Sequence, residues 1–349
     1  MQKILRGRML YVLLGLLILL LYVRAMSSGH MAPEAPAHPV QPEVSTGWWP
    51  EELDAAGLEQ VAQHHPGVAM ALSVLVLLGG GMAAAGLVLT LRAVLLGRTR
   101  PLWQFPAASL PRWTFGELAR ILVLLVMIAS LIPFIRIAIV AFEPRWEPDQ
   151  HVWLTVSMLA LDVFAVLTIA TFAQQKHASL WRAIGFGGAK TAQAAATALR
   201  SYVTLFPWLF ILLYLIVSVA RAVNFAPPAE PIHDLVFAEQ RPAVIALTVL
   251  LACIVGPVAE ELLFRGVMYP ALRQRTSRLV ATLISGGVFA GIHTNVLGFL
   301  PIMALGCLLT YVYERTGTLA APLVVHMVHN TLLMSAAMVL RYAATFAGS

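Results

Sequence analysis

Nine apolar segments follow one another along this 349-residue chain, and most of them are long enough to cross a lipid bilayer. A spanning helix needs about 20 mostly apolar residues. The segments are residues 9–23, 68–91, 121–142, 152–175, 201–220, 242–259, 279–292, 297–313 and 319–340. The first segment is marginal and the seventh and eighth are short, so the sequence predicts eight or nine transmembrane helices.

The composition supports a membrane protein. Hydrophobic residues make up 59% of the chain and charged residues 11%, whereas a soluble domain has about 45–50% apolar and about 25% charged residues. This balance excludes a soluble monomer. Only helices and closed barrels satisfy the backbone in lipid, and these continuous apolar runs lack the alternation of barrel strands. The predicted fold is therefore all-α, a polytopic bundle of membrane helices.

The charged loops alternate in sign along the chain. Basic residues precede the first segment and follow the second, fourth and sixth, while acidic residues concentrate in the other loops. The positive-inside rule places the N-terminus and the basic loops in the cytoplasm. These loops also account for the net charge of +6, so no nucleic-acid partner is expected.

Four regions follow from this pattern. Residues 1–24 are expected to form an N-terminal membrane anchor, because Arg24 directly follows the apolar run; a cleaved signal peptide is the alternative. Residues 25–67 form an extracytoplasmic Ala/Pro-rich loop, expected to be exposed and partly disordered. Residues 68–241 supply additional transmembrane helices, and residues 242–340 contain most of the polar groups at bilayer depth.

The first polar group lies at the end of the sixth apolar segment. An ionisable side chain at bilayer depth costs ~2.5–3.5 kcal/mol or more, so it requires a partner or a function. Glu261 and Arg265 are four residues apart with the acid first, the better orientation for an ion pair on a helix. Glu260 points roughly 100° away and is left to face a cavity. The alternative is a solvated helix end at the membrane interface.

Two further groups carry histidines. Phe289 and His293 lie one helical turn apart, so the ring can pack over the imidazole. His326 and Asn330 share one face of a helix, and His329 can reach the same space. For each group alone, hydrogen bonding between helices is the structural alternative.

The spacing of three polar residues favours a common site. Glu260, His293 and His326 are separated by 33 residues each time, which suits three helices of one compact bundle. One Glu and two His form the ligand set of many catalytic zinc sites. Without a metal, the same groups can hydrolyse an amide, with Glu as base, His as orienting group or acid, and Asn330 as oxyanion donor.

Together the three groups resemble the motifs of the CAAX protease and bacteriocin-processing (CPBP, or Abi) family of intramembrane proteases. The motifs are Glu-Glu-x-x-x-Arg at 260–265, Phe-x-x-x-His at 289–293 and His-x-x-x-Asn at 326–330. The resemblance covers roughly residues 242–340 and implies a CPBP-type protease core there. It implies endopeptidase activity in a cavity open to the cytoplasm, including removal of the C-terminal tripeptide from prenylated CAAX proteins in eukaryotic members.

The resemblance implies a role for each motif residue. The implied catalytic residues are Glu260, Glu261, Arg265, His293, His326 and Asn330. The first carboxylate would activate the water, with the second carboxylate and the arginine supporting it. The two histidines would position the water or a metal ion, and the asparagine would stabilise the oxyanion. The role of His329 stays open.

The resemblance also bears on cofactors, partners and location. Members are often labelled metalloproteases, so Zn2+ is a possible cofactor, with Glu260, His293 and His326 as its ligands; a metal-free mechanism is equally compatible. The expected partners are a peptide or protein substrate at the membrane and the lipid bilayer, with the oligomeric state left open. The expected location is the bacterial inner membrane.

Two other classes of function compete with the protease. A non-catalytic membrane scaffold or bacteriocin self-immunity protein would keep the polar cluster for packing alone. A transporter would need polar residues along a pathway or broken helices in repeated halves, and the clustering after residue 255 argues against it. Outside the cluster, Arg136 and Asp162 are expected to pair with each other across adjacent helices in a structural role.

Overall fold

The computed structural model describes residues 53–97, 110–146, 148–176, 189–225 and 235–347. The predicted anchor at residues 1–24 lies outside these ranges, as does the predicted loop up to residue 52. The described residues form helices and no strand. This confirms an all-α membrane protein.

Nine helices lie in the described ranges. They are α1 (Ala55–His64), α2 (Pro66–Leu95), α3 (Phe115–Phe142), α4 (Gln150–Gln175), α5 (Ala189–Ala222), α6 (Pro242–Arg273), α7 (Arg278–Ile292), α8 (Phe299–Thr316) and α9 (Ala320–Ala347). Six of them, α2 to α6 and α9, are long and apolar enough to cross a membrane. The count of eight or nine spans is not confirmed, because α7 has 15 residues and α8 ends in charged residues.

Capping residues between the apolar runs set several helix ends. Thr114 and Glu117 form a reciprocal capping box at the start of α3, and Asp149 and Ser277 cap α4 and α7 through their side chains. Gly317 ends α8 in the left-handed conformation, with φ of 68°, which glycine adopts without a Cβ clash. Short polar sequences therefore separate the long apolar helices.

Part of the predicted extracytoplasmic loop is helical. The Asp54 side chain accepts a hydrogen bond from the Gly57 N–H at 2.8 Å and caps α1. Val61 is fully buried, and the His65 ring stacks on Phe346 of α9 with 3.9 Å between ring centroids. Packing against the end of α9 thus orders a segment whose composition predicted exposure.

The described parts of the acidic and basic loops lie at opposite ends of the bundle. At the acidic end, Arg241 contacts Asp149 at 2.6 Å, and Arg341 of α9 donates to backbone carbonyls of the loop before α6. At the basic end, Lys176 contacts Glu117 at 2.8 Å. The described parts of these loops are grouped as the charge pattern predicts, and the cytoplasmic assignment of the basic end stays a prediction.

Helix α6 is the most enclosed of the six long helices. In its most apolar stretch 39% of residues are buried, against 6% in α2 and α3. One apolar cluster packs the second half of α6 against α3, α4, α7 and α8. A second cluster joins α5 to α8 and α9. Glu261 and Arg265 of α6, both buried, therefore face other helices rather than lipid.

Helix α6 does not end at its two carboxylates. The sequence predicted a span over 242–259, but the helix continues to Arg273, which places Glu260 and Glu261 well inside it. The alternative of a solvated helix end is therefore wrong. Hydropathy predicted the end of the span at residue 259 because it treats each charged residue as separately unfavourable in the membrane. In the structure, Glu261 and Arg265 form an ion pair inside the protein.

The predicted ion pair between Arg136 and Asp162 is also wrong. Helices α3 and α4 run antiparallel, so Arg136, six residues before the end of α3, lies level with the start of α4 and donates to the Pro148 carbonyl at 3.4 Å. Asp162 lies 12 residues beyond the start of α4, about 18 Å farther along the helix at 1.5 Å per residue. It faces α6, where its Oδ2 is 3.6 Å from the position of a Cβ on Gly256.

Candidate active site

The two adjacent carboxylates of α6 lie between two π-helical segments. These segments are Leu251–Val255 and Leu262–Met268. Pro257 and Pro270 follow them, and a proline inside a helix has no N–H for the regular hydrogen bond and clashes with the carbonyl four residues before it. The sequence thus accounts for both irregularities. Such segments are frequent at functional sites.

Glu261 is the centre of a buried polar cluster. Its Oε1 accepts hydrogen bonds from Arg265 Nη1 at 2.7 Å and from His326 Nδ1 at 2.9 Å. Arg265 also donates to the Gly306 carbonyl at 2.9 Å, and its guanidinium lies 4.7 Å from the centre of the Phe289 ring. The predicted Glu261–Arg265 pair is confirmed, and the structure adds His326 to it.

Glu260 is the more open of the two carboxylates. Its side chain is 26% exposed, compared with 2% for Glu261. Glu260 Oε2 lies 3.5 Å from His326 Nε2 without forming a hydrogen bond to it. Glu261 is thus paired with Arg265 as predicted, and Glu260 is left without a hydrogen-bonding cation among the described residues. That Glu260 faces a cavity stays a prediction.

The hydrogen bond to Glu261 fixes the tautomer of His326. An ionised carboxylate only accepts hydrogen bonds, so His326 Nδ1 carries the proton and donates it. In the neutral imidazole, Nε2 then presents a lone pair toward Glu260. Neither acceptor can donate to the other across 3.5 Å, and Glu260 Oε2 is buried without a hydrogen-bond partner. A bound donor such as water would satisfy both atoms.

His293 is oriented in the same way at the end of α7. Its Nδ1 is 2.7 Å from the Phe289 carbonyl oxygen, which only accepts, so Nδ1 donates and Nε2 presents the lone pair. The Phe289 ring lies 4.7 Å from the His293 ring and 5.6 Å from the His326 ring. The predicted packing of Phe289 on His293 is confirmed, and the same phenyl ring also contacts His326.

Asn330 shares a face of α9 with His326 but reaches toward α6. Its Nδ2 donates to the Ala252 carbonyl at 2.8 Å, inside the first π-helical segment. One of its two N–H groups is used in this contact, and the other stays available for the oxyanion. The oxyanion role of Asn330 remains a prediction.

Sequence reasoning missed one polar contact of this region. His329, whose role the sequence left open, has its Nδ1 2.9 Å from the hydroxyl of Tyr202 in α5. Tyr202 belongs to an apolar helix without a motif. The sequence indicated only that a tyrosine lies within an apolar run, and this does not predict which residue it contacts.

The predicted zinc ligands do not form a closed set. Both histidines donate from Nδ1 and present Nε2, an orientation common in metal-bound histidine, but their Nε2 atoms and the Glu260 carboxylate do not all lie within 4.8 Å of one another. Among the described residues, one set meets that distance: Asp149, His151 and Glu239 at the acidic end. There Arg241 already supplies the cation, 2.6 Å from each carboxylate.

Arg241 governs ionisation at the acidic end. Its hydrogen bonds hold the pKa of Glu239 far below the ordinary value of 4.5 and also lower the pKa of Asp149. The two carboxylates in turn raise the pKa of Arg241. His151 Nδ1 contacts Glu239 at 2.9 Å. These four residues, the acidic-end cluster, join the start of α4 to the loop before α6.

Farther along α6, the helix meets α8 through Glu314. The Tyr269 hydroxyl donates to Glu314 Oε1 at 2.7 Å, and Arg273 Nε donates to the same oxygen at 2.8 Å. Helix α6 thus contacts α8 with polar side chains at three successive levels, counting the Arg265 contact with Gly306.

Known proteins are similar to the region that holds the site. Residues 242–332 match the family model described as type II CAAX prenyl endopeptidase Rce1-like. YdiL of Bacillus subtilis, named as a membrane peptidase, is 25% identical over 195 residues, which cover 53% of this chain and 71% of the relative.

Two shorter similarities fall below that coverage. The membrane-embedded CAAX protease MroQ of Staphylococcus aureus is 30% identical over 93 residues, 25% of this chain and 37% of the relative. An uncharacterized 24.3 kDa protein of Escherichia coli is 32% identical over 112 residues, 31% of this chain and 52% of the relative. The chain thus spans about half or less of these two relatives. No solved structure matches it.

Proposed function

We propose that this chain, as a member of the CPBP family of membrane proteases, cleaves a peptide bond of a membrane-associated substrate. Glu260 is the general base of this reaction. The observation that carries the proposal is the pair of facing acceptors, Glu260 Oε2 and His326 Nε2, 3.5 Å apart. In the proposed reaction, a water molecule donates one hydrogen bond to Nε2 and one to the Glu260 carboxylate, whose side chain is 26% exposed, and its oxygen attacks the substrate.

The chemical steps conserve every proton. Glu260 takes one proton of the water as the water oxygen bonds to the substrate carbonyl carbon. His326 accepts a hydrogen bond from the other O–H and keeps the water oriented. When the tetrahedral intermediate breaks its C–N bond, Glu260 returns the proton to the leaving amine nitrogen. The products are a carboxylic acid and an amine, and Glu260 is again ionised.

Glu261 and Arg265 act through His326 in this proposal. Glu261 holds the Nδ1 proton of His326, so Nε2 always faces Glu260 as an acceptor. Arg265 holds the Glu261 carboxylate in place through a hydrogen bond of 2.7 Å. Both are therefore positioning residues rather than groups that touch the substrate.

Asn330 and His293 complete the proposed site. Asn330 donates to the developing oxyanion through the N–H that the Ala252 carbonyl does not use, because a non-titrating donor aimed at that charge lowers the barrier. His293, held by the Phe289 carbonyl, presents an acceptor nitrogen on the α7 side. It receives a hydrogen bond from the substrate amide.

The proposed substrate class is a peptide or protein that ends in a prenylated CAAX motif. The description of the matching family and the name of the S. aureus relative both contain the term CAAX. A lipid-anchored substrate would present its peptide bond at the bilayer, where α6 carries Glu260. An unprenylated membrane peptide is the comparison substrate for the experiment.

The test uses the full chain in proteoliposomes with a quenched fluorescent peptide that ends in a farnesylated CAAX sequence, and with the same peptide unprenylated. Glu260→Gln keeps the shape of the side chain but does not take a proton, so we expect a loss of cleavage of about 10²–10⁴-fold. Glu59→Gln, the same change on α1 outside the site, is the control. Wild-type cleavage by Glu260→Gln would contradict the proposal and favour the scaffold.

Zinc dependence is tested in the same assay. Because the three donor atoms do not meet, no step of the proposal runs through a metal. Cleavage should persist after chelation to a zinc content far below one per chain, measured by elemental analysis. Loss of cleavage on chelation, with recovery on adding zinc, would instead assign Glu260, His293 and His326 as ligands.

A further inference from the structure

Tyr202 and His329 form a second buried pair beside the proposed site. The Tyr202 hydroxyl lies 2.9 Å from His329 Nδ1, and the two rings meet edge to face with 5.7 Å between centroids. Tyr202 is 1% exposed. It belongs to α5, outside the residues 242–332 that match the family model, so the pair is a feature of this chain beyond the matched motifs.

The hydroxyl of Tyr202 is the donor in this pair. Among the residues that the structure describes, His329 is its one hydrogen-bond partner. If His329 donated instead, the hydroxyl hydrogen would be buried without an acceptor, which native proteins avoid. Tyr202 therefore donates to the lone pair of Nδ1, and the proton of the neutral imidazole lies on Nε2.

His329 shares the polar face of α9 with the residues of the site. At about 100° per residue, His329 and Asn330 flank the direction of His326 on either side. Asn330 reaches α6 through the Ala252 carbonyl, and His329 reaches α5. His329 Nε2 has no protein partner in the described ranges and is not among the buried polar atoms that lack one, so this atom is not fully buried.

We propose that Tyr202 is a positioning residue that fixes His329 as an Nε2–H donor to the substrate carbonyl oxygen, next to Asn330. The inference rests on the proposed function, because it needs hydrolysis at Glu260. Asn330 has already spent one N–H on Ala252, and an oxyanion is best stabilised by more than one preorganised donor. The imidazole of His329 stays neutral throughout and transfers no proton.

Two substitutions of His329 separate a donor from a structural side chain. The amide nitrogen of Gln reaches the position of Nε2, so His329→Gln should keep cleavage of the farnesylated peptide within a few-fold of wild type. The amide of Asn reaches only the position of Nδ1, so His329→Asn should lower kcat by about 10²–10³-fold, the usual effect of losing an oxyanion donor. KM should stay nearly unchanged in both.

Tyr202→Phe tests whether the tyrosine acts through His329. Without the hydroxyl the imidazole is free to turn and to change tautomer, so kcat should fall by about tenfold, the lower end of the range for a lost supporting hydrogen bond. In the His329→Gln background the same substitution should cause no further fall. Tyr269→Phe removes another buried hydroxyl, which donates to Glu314, and should lower thermal stability without changing kcat.

The outcomes identify which proposal fails. The inference alone would be overturned if His329→Gln and His329→Asn lowered kcat equally. It would also be overturned if Tyr202→Phe lowered kcat as much in the His329→Gln background as in wild type. Unchanged cleavage in Glu260→Gln would overturn the proposed function and the inference together. If His329→Asn does not accumulate in the membrane, the test is the effect of Tyr202→Phe on kcat in the wild-type and His329→Gln backgrounds. A loss in the wild-type background alone supports the inference, and an equal loss in both overturns it.

Discussion

The buried ion pair of Glu261 and Arg265 provides the sharpest test of how this bundle is stabilised. Glu261→Gln and Arg265→Met each remove one charge and leave the other inside the protein. Both side chains are at most 2% exposed, so water does not replace the lost partner. We expect each single variant to lose about 3–5 kcal/mol of unfolding free energy, the cost of a buried charge left unpaired.

The double variant should recover most of this loss. Glu261→Gln with Arg265→Met leaves no unpaired charge, and the Gln oxygen still accepts the hydrogen bond that His326 donates to Glu261. Replacing a whole buried ion pair is often neutral. We therefore expect the double variant to lie within about 1 kcal/mol of wild type, which means a coupling of several kcal/mol between the two sites.

Reversible unfolding in lipid bicelles measures these differences. The matched control is the exposed pair of Lys176 and Glu117, whose atoms are 2.8 Å apart but whose side chains are 30% and 20% exposed. Its single variants, Lys176→Met and Glu117→Gln, should each lose no more than about 1 kcal/mol. The reasoning would be refuted if the single variants of the buried pair lost no more unfolding free energy than the single variants of the exposed pair. It would also be refuted if the double variant were as unstable as the single variants.

Two further predictions concern helix packing and pH. Gly86→Ala should destabilise the packing of α2 on α5, because the new Cβ would overlap the Val203 carbonyl and come within 2.6 Å of Pro207 Cδ. In the control variant Gly80→Ala, the new Cβ has nothing within 4 Å, so this variant should be neutral or slightly stabilising. Thermal unfolding of both variants checks this. Because the pKa of Glu239 is lowered on folding, its contribution to stability is complete above 4.5 and is lost as the pH falls below that value. The melting temperature of Glu239→Gln should thus fall less steeply than that of wild type between pH 6 and pH 3, and parallel slopes would contradict this.

Contacts within one helix were predictable from the sequence. The four-residue spacings of Glu261 with Arg265 and of Phe289 with His293 predicted neighbours, and both pairs are in contact. Such predictions depend only on the helical repeat. The assignment of Glu260 as the unpaired carboxylate followed from the same geometry.

Contacts between helices were not predictable in the same way. The hydrogen bond of His326 to Glu261 and that of Asn330 to Ala252 depend on how α9 is placed against α6. The irregular turns of α6 shift its side chains away from their regular positions. The failure with Arg136 and Asp162 has a similar cause, because pairing across a hairpin depends on axial level as well as on charge.

The second π-helical segment of α6 has a consequence for the length of this helix. In a regular α-helix, steps of four residues drift by about 40°, so Arg273 would be turned by about 120° relative to Glu261. The wider turn over Leu262–Met268 takes up this drift, and Arg265, Tyr269 and Arg273 all reach α8. Deleting one residue there would rotate Tyr269 and Arg273 out of phase with Glu314 while Glu260 and Glu261 kept their orientation. The segment therefore acts as a spacer that lets one helix carry the proposed active site and a packing interface with different periodicities.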